Sequence, residues 1–431
     1  MKIQKILAIP LALALASTSA KADVEILITG ATAFRAATLD TIKALYDAGN
    51  GLNQAYEYAH DAASGLSNAS TRSVWKGFVA GIPGTTTVRC TFNGSVEGVR
   101  AVALGGVHNP TFLTDAALTG TPADNGAGVA PAGAQAFSTS TPTTALTAKF
   151  SFSDSLQSST PVTSPSLAPA DPRVGVVVFT MLANEGAPAA LNNVSNQQFR
   201  ALFGNGFQPL SLFTNNLADT NLVFASGRND GSGTRTIYLA ETGYGISNLV
   251  QQYVANTSTS TALTSIRLTN TTTDASTVWG QNQAGNGGAS SGSSLRGDFG
   301  KTSAACQVVD SDGTTELLPA GQIHLITGIS LNDAVVAIDN GAKALGYNGV
   351  HLPGIEAGNN TLNATDLALI TNGAYSYWSN ENLYYSGSLS ADQNTFYTAL
   401  KTGISTNLAA AGIPLTTMNV SRSLDGGPIA P

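Results

Sequence analysis

The chain has 431 residues, 42% of them hydrophobic, with 20 Lys and Arg against 27 Asp and Glu. A charged fraction of 11% is under half the roughly 25% of ordinary soluble domains, which argues against disorder and for a surface of Ser, Thr, Asn, Gln and Gly. The net charge of −7 leaves no basic surplus for nucleic acid, two Cys exclude a disulfide scaffold, and four scattered His offer little to a metal.

Met1-Lys2-Ile3-Gln4-Lys5 is a short basic start, followed by an apolar run from Ile6 to Ala16 and by Ser17-Thr18-Ser19-Ala20-Lys21-Ala22. The pattern reads as a secretory signal over 1–22 with an Ala-x-Ala cleavage site, so the mature chain is expected to begin at Asp23, or at Lys21 if cleavage follows Ala20. The apolar run, at about 11 residues, is too short to span a bilayer, and no later run reaches the roughly 18 needed. No Cys follows it to carry a lipid anchor. The expectation is an exported protein without a membrane anchor, periplasmic or secreted.

Val24 to Thr29 is a β-rich run ending at Gly30, after which Leu39, Ile42, Leu45 and Tyr46 fall at helical spacing and stop at Gly49. Thr86 to Phe92 predicts a second strand, and Val96, Val99 and Ala103 after Gly94-Ser95 suit a helix. Residues 109–149 are rich in Thr, Ala, Gly and Pro and read as an inserted surface loop. A strand resumes at Phe150, and Val174 to Thr180 has the continuous β-branched character of a strand buried on both faces. Ser195-Asn196-Gln197-Gln198 is a capping box ahead of Phe199, Leu202 and Phe203. Leu222 to Ala225 predicts a strand that runs into Gly231-Ser232-Gly233-Thr234 and a helix carrying Ile237 and Leu239. The Ser/Thr/Asn/Gly-rich stretch 254–304 reads as a second insertion. Val335, Val336 and Ile338 mark a helix, Leu345-Gly346-Tyr347 a strand, and a Tyr-rich segment follows at 375–385. Alternation of this kind predicts an α/β fold with mostly parallel sheets and flanking helices.

Several motifs fail on context. Gly288-Ala289-Ser290-Ser291-Gly292 fits a nucleophile elbow, but that motif needs a strand before it and a helix after it, whereas this one sits in a Gly/Ser/Asn tract. Gly300-Lys301-Thr302 ends like a phosphate loop, yet Leu295 stands where its first Gly belongs. His60, His108, His324 and His351 show no metal-ligand spacing. Neither a cofactor nor a catalytic residue is implied.

Four turns rich in small residues, each at a strand end, carry more. They are Gly30-Ala31-Thr32-Ala33-Phe34, Gly94-Ser95-Val96-Glu97-Gly98, Ser153-Asp154-Ser155, and Arg228-Asn229-Asp230-Gly231-Ser232-Gly233-Thr234. Three of them open a predicted helix, whose first N–H groups and positive dipole end favour an anion. Small residues let the anion approach the backbone, and Ser or Thr hydroxyls add donors. Singly, such turns are helix caps. Together with one Arg, they describe an oxyanion pocket at the carboxyl ends of strands, where open α/β sheets bind ligands.

At these residues the sequence resembles the periplasmic phosphate-binding proteins of phosphate ABC importers, within the type II periplasmic binding protein fold. Arg228 to Thr234 is similar to that family's R-x-D-G-S-G-T signature. Gly94-Ser95 with Gly98-Val99 resembles its Ser-Gly turn, Phe152-Ser153-Asp154 its Ser-Asp turn, and Ala344-Leu345-Gly346-Tyr347 its G-x-x-G-Y strand. The order agrees from residue 24 to about 385. The resemblance implies two lobes with a ligand cleft between them, lobe one being 23–167 plus 348–431 and lobe two 168–347. It implies a phosphate-like ligand, an ABC permease as partner and a monomer. Ser95, Ser232 and Thr234 would donate hydroxyls, Phe34 and Gly233 backbone N–H groups, Arg228 the positive charge, and Asp154 would accept a proton from the ligand. Ala33 stands where the family has Thr, with Thr32 one residue earlier. Cys90 and Cys306 would fall in different lobes, where a disulfide would tether them; two separate thiols are the expectation. The rival reading is an extracellular interaction or adhesion protein that keeps this fold and uses its insertions as the contact surface. A binder of another oxyanion is the nearer alternative.

Overall fold

A computed structural model of the chain describes residues 23–50, 56–61, 70–118, 135–136, 142–274, 278–406 and 412–431. The expected signal segment 1–22 and parts of 109–149 lie outside the described residues.

Strand β1 (Val24–Gly30) pairs in parallel with β2 (Thr86–Thr91) on one side and with β3 (Phe150–Ser153) on the other. Flanked on both edges and covered by helices, these strands bury nearly every side chain, which suits their run of Val, Ile, Phe and Thr. Gly30 ends β1 with φ +119°, and a Cβ there would lie 2.0 Å from the Phe152 carbonyl oxygen, so only glycine fits. Helices α1 (Arg35–Asn50) and α2 (Ser95–Leu104) leave the carboxyl ends of β1 and β2.

The second lobe is built on β4 (Arg173–Ala183), β5 (Leu222–Ala225) and β6 (Ile323–Ser330), and the chain returns through β7 (Trp378–Tyr385). β5 and β6 run parallel. β4 belongs to both lobes: Phe179–Ala183 pairs with β6, and Arg173–Val178 pairs with β7. β7 in turn pairs with β3. One 14-stranded sheet therefore passes through both lobes, in the central order β5-β6-β4-β7-β3-β1-β2. Parallel pairs form the centre of each lobe, while antiparallel pairs join the lobes. The architecture is the α/β class the alternating elements predict.

Helix α3 (Asn196–Asn205) has its capping box complete: Gln198 N donates to Ser195 Oγ at 3.2 Å, and Ser195 N to Gln198 Oε1 at 2.8 Å. Helices α4 (Gly233–Glu241), α5 (Gly292–Phe299) and α6 (Leu331–Asp339) follow. The polar stretch 254–304 contributes strands Tyr253–Ser258 and Leu263–Leu268 to a separate four-stranded sheet with Cys306–Val309 and Glu316–Gly321. Cys90 and Cys306 are both buried and free. No helix among the described residues is long and apolar enough to cross a membrane.

Candidate functional site

The amino ends of α2 and α4 come from different lobes and meet. The Gly231 carbonyl, in the turn before α4, accepts from Val96 N at 3.1 Å and from Glu97 N at 3.3 Å. This approach needs a bare backbone, since a Cβ on Gly94 would lie 2.5 Å from the Gly231 oxygen.

Asp154, in the turn after β3, sits at this junction and is 2% exposed. Its Oδ1 accepts from the Ser95 hydroxyl at 2.6 Å, and its Oδ2 from the Thr234 hydroxyl at 3.4 Å. Burial pushes the Asp154 carboxyl above its ordinary range, opposed by the Ser95 hydrogen bond, its own backbone, the Arg228 charge and Thr234. Gly233 packs against the pair, and a Cβ there would lie 2.4 Å from Ser95 Oγ and 3.0 Å from Asp154 Cγ.

Arg228 is buried, and desolvation lowers the pKa of its guanidinium while Asp333 and Asp154 raise it. Nε donates to the Ala289 carbonyl at 3.0 Å, Nη2 to the Ser290 carbonyl at 3.1 Å, and Nη1 to the Thr32 hydroxyl at 3.4 Å. These bonds take three of its five N–H donors and aim the planar fork. Thr32, one residue ahead of Ala33, thus reaches the cleft from the first lobe. Phe34 is buried with its ring 6.0 Å from Phe152. Ser232 caps α4, its Oγ accepting from Arg235 N at 3.4 Å.

Ser95, Asp154, Gly233 and Thr234 are therefore in direct contact, and Arg228 joins Thr32 beside them. Other residues enter that the sequence reading does not contain. Asn332 Nδ2 crosses the cleft to the Ala33 carbonyl at 3.1 Å. Asp333 binds Arg296 at 3.0 Å and accepts from the Ser330 hydroxyl at 3.3 Å. Arg35, Arg296 and Asp333 line a small opening with Thr32 and Ala33. Asn332 and Asp333 open a helix directly after a strand, as three of the four turns above are expected to do. Glu381, fully buried on β7, lies within electrostatic reach of Asp154, and both its oxygens lack a hydrogen-bond partner among the described residues. Burial holds its carboxyl well above the usual range. No group of three or more His, Cys, Asp or Glu among the described residues could hold a metal.

Fold and site together define a two-lobed α/β chain whose lobes meet at a buried polar cleft, where the Arg228 guanidinium, the Asp154 carboxyl and the hydroxyls of Thr32, Ser95 and Thr234 come together. No family model and no curated protein matches the sequence. Among solved structures, the chain is similar to an ABC-type phosphate transport receptor from Vibrio cholerae, with 11% identity and a TM-score of 0.37 over 88% of this chain and 94% of that one. It is also similar to PstS from Borrelia burgdorferi, with 12% identity and a TM-score of 0.32 over 89% of this chain and 93% of that one.

Proposed function

We propose that the chain is an exported, monomeric solute-binding protein that closes its lobes over phosphate or a similar oxyanion and hands it to an ABC permease, without catalysing a reaction. The observation that carries this reading is the cross-lobe cluster Ser95–Asp154–Thr234 beside Arg228. Hydroxyls of Thr32, Ser95, Ser232 and Thr234, with the backbone N–H groups of Phe34 and Gly233, supply donors, and Arg228 supplies the charge. Asp154 supplies the selective element. An ionised carboxylate accepts and cannot donate, so an anion facing it must bring a proton. Entry of the ligand exchanges the Thr234–Asp154 contact for bonds to the anion, and both lobes contribute to each side of the exchange.

Calorimetric titration of the purified chain with inorganic phosphate and with sulfate tests the reading. Heat of binding for phosphate, with sulfate at least roughly tenfold weaker, is expected. Absence of binding by either anion would favour the interaction-protein reading.

A further inference from the structure

After Met418 the chain folds into a closed loop, with Ser421 and Ala430 exchanging backbone hydrogen bonds at 2.7 and 3.0 Å. Arg422 Nη1 donates to Glu241 Oε2 of the second lobe at 2.8 Å, and its Nη2 donates to the Ser376 carbonyl at 2.7 Å. The guanidinium stacks 4.3 Å over the Trp378 ring, and the ion pair is buried. Gly426 lies against the backbone of Ala240, where a Cβ would come within 2.4 Å. On the first-lobe side, Asp425 Oδ2 accepts from Leu156 N at 2.8 Å, and the Ser159 side chain bonds the same carboxyl.

The two anchor points lie on the segments that make the candidate site. Glu241 is the last residue of α4, whose first residues are Gly233 and Thr234. Leu156 follows Asp154 by two residues. The loop also spans β4 and β7, the strands through which the lobes are continuous. Grooves open to solvent flank its footing. A groove of about 320 Å³ lies on one side, between Leu156, Asp171 and Arg422, and another of about 320 Å³ on the other, between Val176, Trp378 and Val420. Arg422 Nε and Trp378 Nε1 are buried there without a hydrogen-bond partner among the described residues. Val420 and Ile429 pack against the core beside these bonds, so the loop is seated by apolar contacts as well as by polar ones.

We propose that residues 419–431 are an inter-lobe latch: by gripping Glu241 and Leu156 together, the loop ties the Asp154 turn to α4 and limits how far the cleft opens. The proposal shares with the binding reading only the premise that the lobes move, and its test needs no ligand. Spin labels at Val107→Cys and Leu217→Cys, both almost fully exposed and one in each lobe, report the separation in the full chain. The native cysteines are buried.

Without ligand, the latched chain is expected to show one short distance population. Arg422→Ala and Asp425→Ala each remove charge-assisted bonds and should raise the long-distance fraction relative to the short one by about tenfold. Leu424→Ala, at a position 57% exposed on the same loop, should leave it unchanged. Should Arg422→Ala fail to fold by circular dichroism, Asp425→Ala decides alone. Identical distance distributions in the parent and in folded Asp425→Ala would overturn the latch, whatever anion the cleft binds.

Discussion

The Thr234 hydroxyl, carried by the second lobe, reaches Asp154 Oδ2 in the first lobe at 3.4 Å, while Ser95 Oγ bonds the other carboxyl oxygen at 2.6 Å. Asp154 thus sits where the two lobes close on each other. With its carboxyl pushed upward by burial, the group takes up a proton more readily than an exposed Asp.

Selectivity among anions should follow from that carboxyl. Hydrogen phosphate brings a proton to Asp154, whereas sulfate places two negative groups together. A buried acceptor left unpaired costs about 1–3 kcal/mol, more when charged, so the native chain should prefer phosphate by at least roughly tenfold. Asp154→Asn offers an amide donor and should narrow the gap, chiefly by improving sulfate binding. Competition titrations on both proteins measure it, and an unchanged preference in the variant would return Asp154 to a role in its turn.

Arg228 should matter for charge and for shape. Charge-assisted hydrogen bonds contribute about 1.5–3 kcal/mol each, so Arg228→Ala should weaken phosphate binding by at least roughly tenfold. Arg228→Lys should recover little. One ammonium cannot hold the Ala289 and Ser290 carbonyls and present a fork to the ligand as well. Native phosphate affinity in a folded Arg228→Ala protein would place the pocket elsewhere.

The local half of this site is legible in the sequence. The runs at Val24 and Val174, the Ser195 capping box and the Gly233 helix start are set by neighbours in the chain, and each appears where those neighbours place it. The contacts between turns are another matter, since Thr32 and Arg228 are 196 residues apart and only the sheet order brings them together. The Gly288–Gly292 string, rejected as a nucleophile elbow, works through the carbonyls of Ala289 and Ser290, whose direction no side-chain pattern encodes. Glu381 gives no signal at all, because a carboxylate in a strand reads as a solvent-facing position and only tertiary packing buries it. The stretch 254–304 reads as an insertion by composition, yet Leu263 and Ile266 fill a small sheet of their own and Thr suits its exposed face.

Gly233 tests whether the cleft must close. Its φ lies outside the left-handed region, so a methyl group there meets only sterics: Ser95 Oγ at 2.4 Å and Ser95 Cβ at 2.6 Å. Both obstacles belong to the opposite lobe. Gly233→Ala should therefore hold the lobes apart and weaken phosphate binding by at least roughly tenfold, while thermal stability changes by no more than about 1 kcal/mol. A large loss of melting temperature with affinity intact would show that the contact is structural.

Asp425, in the loop that bridges the lobes, should make stability depend on pH. Burial pushes its carboxyl from 3.8 up to about 6. The Asp154 charge adds to the rise, while Ser159, the Leu156 N–H and Arg422 oppose it. Between pH 3.8 and 6 the folded chain therefore holds a proton that the unfolded chain releases. The stability this supplies is complete below the unfolded value and is lost as pH rises through the folded one. About two units of difference correspond to roughly 3 kcal/mol. Other buried carboxyls, Asp154, Glu241 and Glu381 among them, also shift upward, so the comparison must be with a variant and not with pH alone. Asp425→Asn keeps an acceptor for Leu156 N and cannot ionise. Its stability should fall less than that of the native chain between pH 5 and 7, and at pH 7 it should equal or exceed it. Chemical denaturation at pH 5, 6 and 7 measures both curves. If they run parallel, Asp425 does not titrate in this range and the loop holds the lobes by the same bonds at every pH.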